Sequence, residues 1–502
     1  MDEFFDNILS CKEAAKFEAE FFAGDSSKEF AAIDRAGAGI AKIVLREFGK
    51  TLKQSPRVLV LSGSGHNGAD AIRAGIEILK ALPESEICLY ISKDLDELKP
   101  NTRALARELL GSFGRVRLFA KNPEKISGKF DLMIDGLAGM SFAPPAREGL
   151  KREIEIFNGI ESSLKVAVDL PSGVCDFECE TALRADLTCM AGIAKLPLFN
   201  PKNAKFAGRL RYVDLGFFPE KRLCGQNIIA RLPAPLKKLR RAATHKNDYG
   251  ELFIFAGSEN FCGAALMNAK AALRSGAGLV RAFLPESFCA AAAAAEPACI
   301  WVPCSLDESG SLALENFSAY KAVCGRESAV LMGSGLGRST EPQALMREIL
   351  RHTKARAVLD ADAVCGEILE CAPRGRTLIT PHVGEFSRLK RGLENSDLLK
   401  FSRETGVCLL LKDYISKVCD GERVFCNTRG SPILSRAGSG DVLAGLCAGL
   451  AARLDLNLSL SECAAAAAFI AGAAAESAFS NAGESLYSTS EIFKYLGDFL
   501  DE

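Results

Sequence analysis

The sequence lacks the features that mark several classes of protein. Its formal net charge is −1 over 502 residues, so no strong field draws it to nucleic acid or to an anionic membrane. It has no run of about 18 apolar residues, which argues against a transmembrane helix. Its first residues, MDEFFDNILSCKEAAK, do not have the basic and apolar segments of a secretory signal. None of the 18 cysteines lies in a CxxC pair, which predicts reduced, buried thiols in a cytoplasmic protein.

Histidine is also scarce. Only four are present, and three of them, His66, His245 and His382, stand in loops punctuated by glycine or proline. A single histidine is usually structural, so this placement is only a mild indication of chemistry.

Short apolar runs recur along the whole chain and alternate with helical patterns. A chain of this length is too long for one core, and 48% hydrophobic with 25% charged residues is ordinary globular composition. The alternation predicts an α/β fold with mostly parallel sheets covered by helices on both faces. The predicted strands are 57–63, 87–92, 116–119, 132–137, 165–171, 187–192 and 210–216, then 250–258, 279–285, 328–335, 356–362, 377–382 and 407–413, with 421–427 as a hairpin arm. The predicted helices are 26–49, 71–82, 263–276, 440–453 and 460–479.

One segment interrupts this alternation of predicted strands and helices. Residues 217–243 contain three prolines and the basic cluster KKLRR (237–241), without clean periodicity. That composition predicts a linker between two α/β domains, 1–216 and 244–502. The basic cluster is expected to be a solvated face, with an acidic or nucleic-acid partner as the open alternative.

The segment AGSGDVLAG (437–445) is the most informative in the chain. Small residues precede Asp441, and an apolar helix follows. Glycines and a helix N-terminus can direct backbone amides at phosphate oxygens, and Asp441 could take a proton from an attacking hydroxyl. A simple helix N-cap explains the same residues as well, so the motif alone does not decide.

Four further loops at predicted strand ends favour the phosphate site over the simple N-cap, because open α/β sheets bind ligands at strand ends. These loops are Gly257-Ser258 with Gly263-Ala264-Ala265, then GSGLG (333–337), Asp360-Ala361-Asp362, and TPHVGE (380–385). Each could be a turn, but five such loops in this order predict one composite site.

The second half resembles the ribokinase-like superfamily, in its NAD(P)H-hydrate dehydratase branch, over about 245–450. The resemblance rests on HKNDYG, GSENFCGAALMNAKAALRSGAGLV, GSGLG, LDADAV, TPHVGEF and AGSGDVLAG. It implies phosphorylation of a hydrated nicotinamide ring by ADP with Mg²⁺, or by ATP as in eukaryotic members, followed by loss of phosphate to give NAD(P)H. It also implies the following roles: Asp441 as base and hydrate contact, Gly438 and Gly440 in the anion hole and nucleotide site, Ala264, Gly335 and His382 at the hydrate, and Lys412, Asp413, Tyr414, Ile415 and Ser416 at the nucleotide. Asp413 stands where the family has glycine, which brings a carboxylate towards the nucleotide.

The first half carries a second Gly-rich loop, GSGHNGAD (63–70), between a strand and a helix. Backbone amides at such a helix N-terminus suit phosphate groups. Asp135 and Asp169 end two predicted strands, where acids are more often functional than structural.

This half resembles an NAD(P)H-hydrate epimerase domain, of Rossmann-like α/β/α architecture, over about 28–216. The matches are IDRAG (33–37), GSGHNGAD, IDGLAG, VDLPSG and AGRLRYVDLGFFP. The resemblance implies a substrate site at His66, Asn67, Gly68, Ala69, Asp70, Gly139 and Asp169, with Asp169 moving a proton, and a K⁺ ion held by Asn67, Asp135 and Ser172. His66, Ala69 and Ala71 replace Asn and two glycines of the family, and the added methyl groups would narrow the approach to a phosphate.

Together, the resemblances imply a bifunctional repair enzyme acting on NADHX and NADPHX, expected as a cytoplasmic homo-oligomer without nucleic-acid or membrane partners. One alternative is a small-molecule kinase that releases its phosphorylated product. Another is that the first half is retained only as a protein- or RNA-binding module.

Overall fold

The computed structural model describes residues 5–112, 115–142, 144, 147–218, 226–237, 244–389, 398–482 and 488–497. The chain divides into an N-terminal unit, Asp6–Gly225, and a C-terminal unit built on Gln226–Glu502. Both are α/β, as predicted. Each is described by itself.

The N-terminal unit is a parallel sheet with helices packed on it. Its strands are β1 Phe5–Leu9, β2 Arg57–Ser62, β3 Glu86–Ile91, β4 Val116–Ala120, β5 Leu132–Gly136, β6 Lys165–Val168, β7 Leu187–Ala191, β8 Ala194–Lys195 and β9 Arg209–Val213. Its helices are α1 Cys11–Phe22, α2 Ser26–Phe48, α3 His66–Ala81, α4 Pro100–Ser112, α5 Glu148–Gly159 and α6 Ala204–Ala207.

Seven of these strands form one sheet in the order β4-β3-β2-β5-β6-β7-β9, and the other two, β1 and β8, pair with each other. The chain adds strands on one side of β2 as far as β4 and on its other side from β5 onwards, so the winding reverses between β2 and β5. All ladders of this sheet are parallel. The loops that leave β2 and β5 meet at this reversal, where Gly63 N–H donates to Gly136 O at 2.9 Å. A crevice at such a reversal is the usual ligand site of an open α/β sheet.

The C-terminal unit repeats this architecture with a longer sheet. Its strands are β10 Asn227–Ala230, β11 Glu251–Phe255, β12 Leu279–Pro285, β13 Ile300–Cys304, β14 Ala329–Met332, β15 Arg356–Leu359, β16 Thr377–Ile379, β17 Cys408–Leu411, β18 Lys417–Cys419 and β19 Val424–Cys426. Its helices are α7 Ala234–Lys237, α8 Cys262–Arg274, α9 Glu286–Ala295, α10 Phe317–Lys321, α11 Thr340–His352, α12 Gly366–Leu369, α13 Val383–Leu389, α14 Leu398–Thr405, α15 Ser439–Ala452 and α16 Leu460–Ala482.

In this sheet the order runs β13-β12-β11-β14-β15-β16-β17-β18-β19-β10. The strands from β13 to β17 are parallel, so the loops that follow them emerge at one edge. The strands β17, β18 and β19 form an antiparallel meander. Four of the Gly-rich or acidic loops of the sequence follow β11, β14, β15 and β16 and therefore lie at the same edge of the sheet. The fifth loop does not follow one of these strands and opens α15.

Part of the predicted linker is a strand in the structure. Residues 227–230 form β10, which pairs in parallel with β19, because the run NIIA is apolar and finds an open strand edge there. The units divide between Gly225 and Gln226. Pro219 and residues 238–243, with most of the basic cluster, lie outside the described residues.

Helix α16 is the one described helix with the length and apolar composition to cross a membrane. Its segment Leu460–Phe479 is 78% buried inside the protein. A buried core helix passes the same compositional test, so this is weak evidence for a membrane span.

Candidate active sites of the two units

Asp360 is the centre of a polar cluster at the carboxyl edge of the C-terminal sheet. It follows β15 and is almost fully buried. Its Oδ1 accepts hydrogen bonds from Lys412 Nζ at 2.8 Å and from Thr380 Oγ1 at 2.7 Å, and its Oδ2 accepts one from Ser334 Oγ at 3.0 Å. These partners follow β17, β16 and β14, so four adjacent parallel strands contribute one residue each. The sequence flagged the loops but not this network.

Asp441 lies in the first turn of α15, which the predicted loop opens. Gly438 caps the helix with φ +87°, a left-handed conformation that favours glycine. The first bond of the helical ladder runs from Val442 N–H to Gly438 O, and Ser439 N–H donates to Arg436 O at 3.3 Å, so the amides of Gly440 and Asp441 are the free donors of this helix N-terminus. Lys412 Nζ is 3.5 Å from the position that a Cβ on Gly440 would take. An ammonium therefore stands beside the free amides.

The electrostatics of Asp441 favour proton exchange near neutral pH. Burial raises the pKa of Asp441 to about 6, and the Asp360 carboxylate adds to the rise. The ammonium of Lys412 and the hydroxyl of Ser334 oppose it. Burial lowers the pKa of Lys412, but the carboxylates of Asp360, Glu385 and Asp441 outweigh burial and raise it overall. A carboxyl group tuned in this way can act as a general base.

Two of the three residues expected at the hydrate, Ala264 and Gly335, lie close together. Gly335 has φ +63°, and a Cβ there would lie 3.3 Å from the Cβ of Ala264 and 2.8 Å from that of Phe261. These residues are thus brought together. Phe261, which the sequence did not single out, is 64% exposed at this point. A large exposed aromatic ring beside a polar cluster is a candidate for stacking on a flat substrate.

His382 is held by the start of α13, directly after β16. Its Nδ1 accepts from the amides of Gly384 and Glu385, at 3.0 and 3.3 Å, while its own amide donates to Glu385 Oε2 at 2.9 Å. His382 also pairs with Lys412 in an isolated parallel bridge. Because Lys412 contacts Asp360, this bridge places the backbone of His382 next to the Asp360 network.

The predicted nucleotide segment, Lys412–Ser416, forms the turn between β17 and β18. Tyr414 is half-exposed and Ile415 is buried. The Oδ1 of Asp413 accepts from the amide of Tyr414 at 2.7 Å, so the carboxylate that replaces a family glycine is engaged with its own turn. The ammonium of Lys412 contacts Asp360, whereas the side chain of Tyr414 is exposed to solvent.

In the N-terminal unit, the predicted loop 64–70 is mostly helix. Helix α3 begins at His66, because Gly65 caps it and Ala69 N–H already donates to Gly65 O at 3.2 Å. The prediction of a loop over 66–70 was therefore wrong. Because the helix begins at His66, the amides of His66, Asn67 and Gly68 are free donors at its N-terminus. His66 Nε2 also lies 3.4 Å from Glu29 Oε2 on α2.

The methyl groups that depart from the family pattern face the core. Ala69 and Ala71 are fully buried, and both belong to the main apolar cluster of this unit. Gly68 is the tight position: a Cβ there would lie 2.2 Å from Gly63 O. The expected narrowing of the phosphate approach by Ala69 and Ala71 therefore does not arise.

The residues expected at K⁺ meet around the carbonyl of Ala138. Ser172 Oγ donates to Asp135 Oδ1 at 2.6 Å, and its amide donates to Asp135 Oδ2 at 2.8 Å. Ser172 Oγ also lies 3.3 Å from Ala138 O, which accepts from Asn67 Nδ2 at 3.0 Å. Gly139 lies against Asn67, since a Cβ on it would be 3.2 Å from that of Asn67. Four of the predicted residues therefore share one corner.

Asp169 and Asp70 belong to a separate buried cluster with Lys195 and Glu18, two residues that the sequence did not reveal. Lys195 Nζ donates to Asp169 Oδ1 at 2.6 Å. Glu18 Oε1 lies 3.9 Å from the same ammonium. Glu18 comes from α1, whose capping box, Ser10 with Glu13, is a helix start signal in the sequence.

Two family models match the chain, one in each unit. A model described as NAD(P)H-hydrate dehydratase matches residues 252–497, and one described as YjeF-related protein N-terminus matches residues 30–196. The first coincides with the Asp360–Asp441 site, and the second spans the Asn67 and Asp169 sites.

Curated relatives match almost the whole chain. The bifunctional NAD(P)H-hydrate repair enzyme Nnr of Pyrobaculum aerophilum is 32% identical over 92% of this chain and 94% of its own. The enzymes of the same name from Gloeobacter violaceus, 32% identical over 89% of each chain, and Hyperthermus butylicus, 30% identical over 91% and 86%, are similar. These matches favour two activities and do not support the small-molecule kinase alternative. The chain belongs to the family of bifunctional NAD(P)H-hydrate repair enzymes.

Proposed function

We propose that the C-terminal unit dehydrates the S epimer of NADHX and NADPHX, with ADP as phosphoryl donor. The observation that supports this most is the position of Asp441, at the N-terminus of α15 and beside the Lys412–Asp360 pair. A base, a cation and free amides are what phosphoryl transfer to an alcohol needs.

In this proposal the hydroxyl oxygen of the hydrated ring attacks the terminal phosphorus of ADP, and Asp441 takes the proton of that hydroxyl. AMP leaves, and the amides of Gly440 and its neighbours, with the Lys412 ammonium, stabilise the charge that develops on the transferred group. The ring nitrogen then expels phosphate, and loss of a proton from the adjacent ring carbon restores the double bond of NAD(P)H. Phosphorylation is required because hydroxide is a poor leaving group.

Mg²⁺ fits this site as a companion of the nucleotide. The described residues contain no group of three His, Cys, Asp or Glu side chains that could hold a metal ion. Mg²⁺ in phosphoryl-transfer sites usually takes one or two carboxylates together with substrate phosphates and water. Because Asp360 is already engaged by Lys412, Thr380 and Ser334, we expect the phosphates to supply most ligands. When bound, the ion would neutralise phosphate charge.

We also propose that the N-terminal unit interconverts the R and S hydrates. The free amides of His66, Asn67 and Gly68 would bind the phosphates, and Asp169 would move a proton at the hydrated carbon. A K⁺ ion fits the corner formed by Asp135, because that carboxylate is fully buried and, in the described part of the chain, forms no ion pair. Burial raises the pKa of Asp135 to about 6. A monovalent cation among Asn67, Ser172 and Ala138 oxygens would compensate its charge.

We place this activity in the cytoplasm. Every cysteine in the described ranges is a free thiol, including Cys175 and Cys179, whose sulfurs are 3.8 Å apart. Most of these thiols are buried in strands and helices as small apolar side chains, which is typical of proteins of a reducing compartment. A homo-oligomeric state stays a prediction.

The test of the dehydratase is the product. The full chain, ADP, Mg²⁺ and NADH hydrate should restore the near-ultraviolet absorbance of NADH, with one AMP and one phosphate formed per NADH. A small-molecule kinase would instead accumulate a phosphorylated hydrate without that absorbance. Asp441→Asn is the control and should abolish the signal.

A further inference from the structure

A buried lysine that the proposed function does not use lies against Asp169. Lys195 is 1% exposed and ends β8, which pairs with β1. Its ammonium donates to Asp169 Oδ1 at 2.6 Å and to Ala191 O at 3.2 Å. A lysine is rarely buried unless an anion pairs with it, so this arrangement binds the two residues to each other.

The orientation of Asp169 is closely determined. Its φ of +63° is a left-handed conformation that costs free energy in a residue with a side chain. Its Oδ1 accepts both from Lys195 and from the amide of Ala191, at 3.2 Å. Among the described residues, no donor contacts the other oxygen, Oδ2. One carboxylate oxygen is therefore fixed and the other is available.

Further acids surround the same ammonium. Glu18 lies 3.9 Å from it, and burial raises the pKa of Glu18 to about 7. Burial, together with the Asp169 and Glu18 carboxylates, raises the pKa of Asp70 well above its ordinary range. Burial also raises the pKa of the neighbouring Cys11 thiol, which stays uncharged. One ammonium therefore lies among several carboxyl groups, and the pKa values of Glu18 and Asp70 are raised.

We propose that Lys195 is a positioning residue of the epimerase reaction: it holds Asp169 by Oδ1, so that Oδ2 faces the hydrated ring carbon. The inference rests on the proposed epimerase function. Inversion at that carbon requires the C–O bond to break, with the hydroxyl leaving as water and the ring nitrogen forming a C=N bond. Water then adds to the opposite face and releases the proton that was supplied. A proton that is given and returned in this way needs a carboxylate oxygen at one fixed place.

The test compares Lys195→Met with Lys165→Met in the full chain. Lys165 is a matched control, because it is a partly buried lysine at the other end of β6, where it binds the carbonyls of Phe157 and Asn158. We expect Lys195→Met to lower kcat for epimer interconversion about 100-fold, the contribution typical of a placed acid or base. KM should change little, and the acidic limb of the pH–rate profile should move to higher pH. Lys165→Met should do neither.

A second variant separates positioning from loss of fold. Ethylammonium added to Lys195→Ala should restore part of kcat, because it supplies the missing charge in the space left by the side chain. A Lys195→Met enzyme with unchanged kcat and pH profile would overturn the inference, as would an inactive Lys195→Ala enzyme that no amine rescues. Absence of epimerase activity in the unmodified chain would instead refute the proposed function.

Discussion

Lys412 and Asp360 form an ion pair of 2.8 Å across the carboxyl ends of β15 and β17, and Asp441 titrates under the influence of both. The carboxylate raises the pKa of Asp441 and the ammonium lowers it. The two members of the pair therefore shift the pKa of Asp441 in opposite directions, and replacing each of them in turn tests the site directly.

The dehydratase should lose kcat/KM as pH falls through about 6, because Asp441, whose pKa burial raises to about 6, must be ionised to act as base. Asp360→Asn removes a negative neighbour and should move this limb to lower pH. Lys412→Met removes the positive neighbour and should move it to higher pH, with a lower maximal rate. The measurement is the pH–rate profile of NADH regeneration.

The opposed directions are the control in this experiment. A general structural disturbance would lower activity in both variants without moving the limb either way. Movement of both limbs in one direction contradicts the assignment of Asp441 as the titrating base.

Phe261 should contribute to binding of the substrate ring. Its side chain is 64% exposed beside Gly335 and Ala264, so Phe261→Ala costs no core packing. Loss of an aromatic stacking partner is worth about 1 kcal/mol, so we expect KM for the hydrate to rise roughly fivefold with kcat nearly unchanged. Leu454→Ala is the matched control, because Leu454 is also exposed but follows the far end of α15. An equal effect in both variants would remove Phe261 from the site.

The close contact between α8 and α15 should affect both the free energy of unfolding of the C-terminal unit and the position of Asp441. A Cβ on Gly445 would lie 2.4 Å from Asn268 O, and Asn268 Nδ2 donates to Asp441 O at 2.7 Å. Gly445→Ala should therefore lower the free energy of unfolding by about 3 kcal/mol and displace Asp441, since overpacked backbone contacts relax poorly. Gly263→Ala, in α8 with open space around it, should raise stability by up to about 1 kcal/mol. Calorimetric unfolding of both variants checks this; a neutral Gly445→Ala would refute the close approach.

K⁺ should stabilise the N-terminal unit and support epimerisation. Replacement of K⁺ by N-methylglucamine leaves the buried Asp135 carboxylate without a counter-charge, so the melting temperature should fall and epimerisation should slow. Asp135→Asn should remove the dependence on K⁺. If Na⁺ and N-methylglucamine give the same melting temperature as K⁺ in the unmodified chain, no such ion site exists.

The sequence predicted the strands well where they are buried and β-branched. The runs at 57–62, 132–136 and 251–255 all form parallel strands, because continuous apolar runs bounded by glycine have few other places in a fold. It missed β1, β8, β10, β13 and β18, which are two to five residues long. Such strands carry no periodicity of their own.

The sites were predictable as motifs and not as networks. Asp441 was recognisable because its loop carries glycines, Asp135 because it ends a predicted strand, and Ser172 only through the resemblance to the epimerase family. Lys195 was not, because nothing around AKLPLF marks a lysine that becomes buried, and its partner Asp169 is 26 residues away. Lys412 was placed at the nucleotide, whereas its contact with Asp360 depends on strand order, which local sequence does not contain.

Two carboxylates, one in each unit, should each support one activity, and a pair of variants measured for both activities tests this most directly. Asp441→Asn should abolish ADP-dependent regeneration of NADH while the R and S hydrates still interconvert. Asp169→Asn should stop interconversion while the S hydrate is still consumed, so that the R epimer initially present remains unconsumed. Loss of both activities in either variant, or retention of the matching activity, would contradict the account.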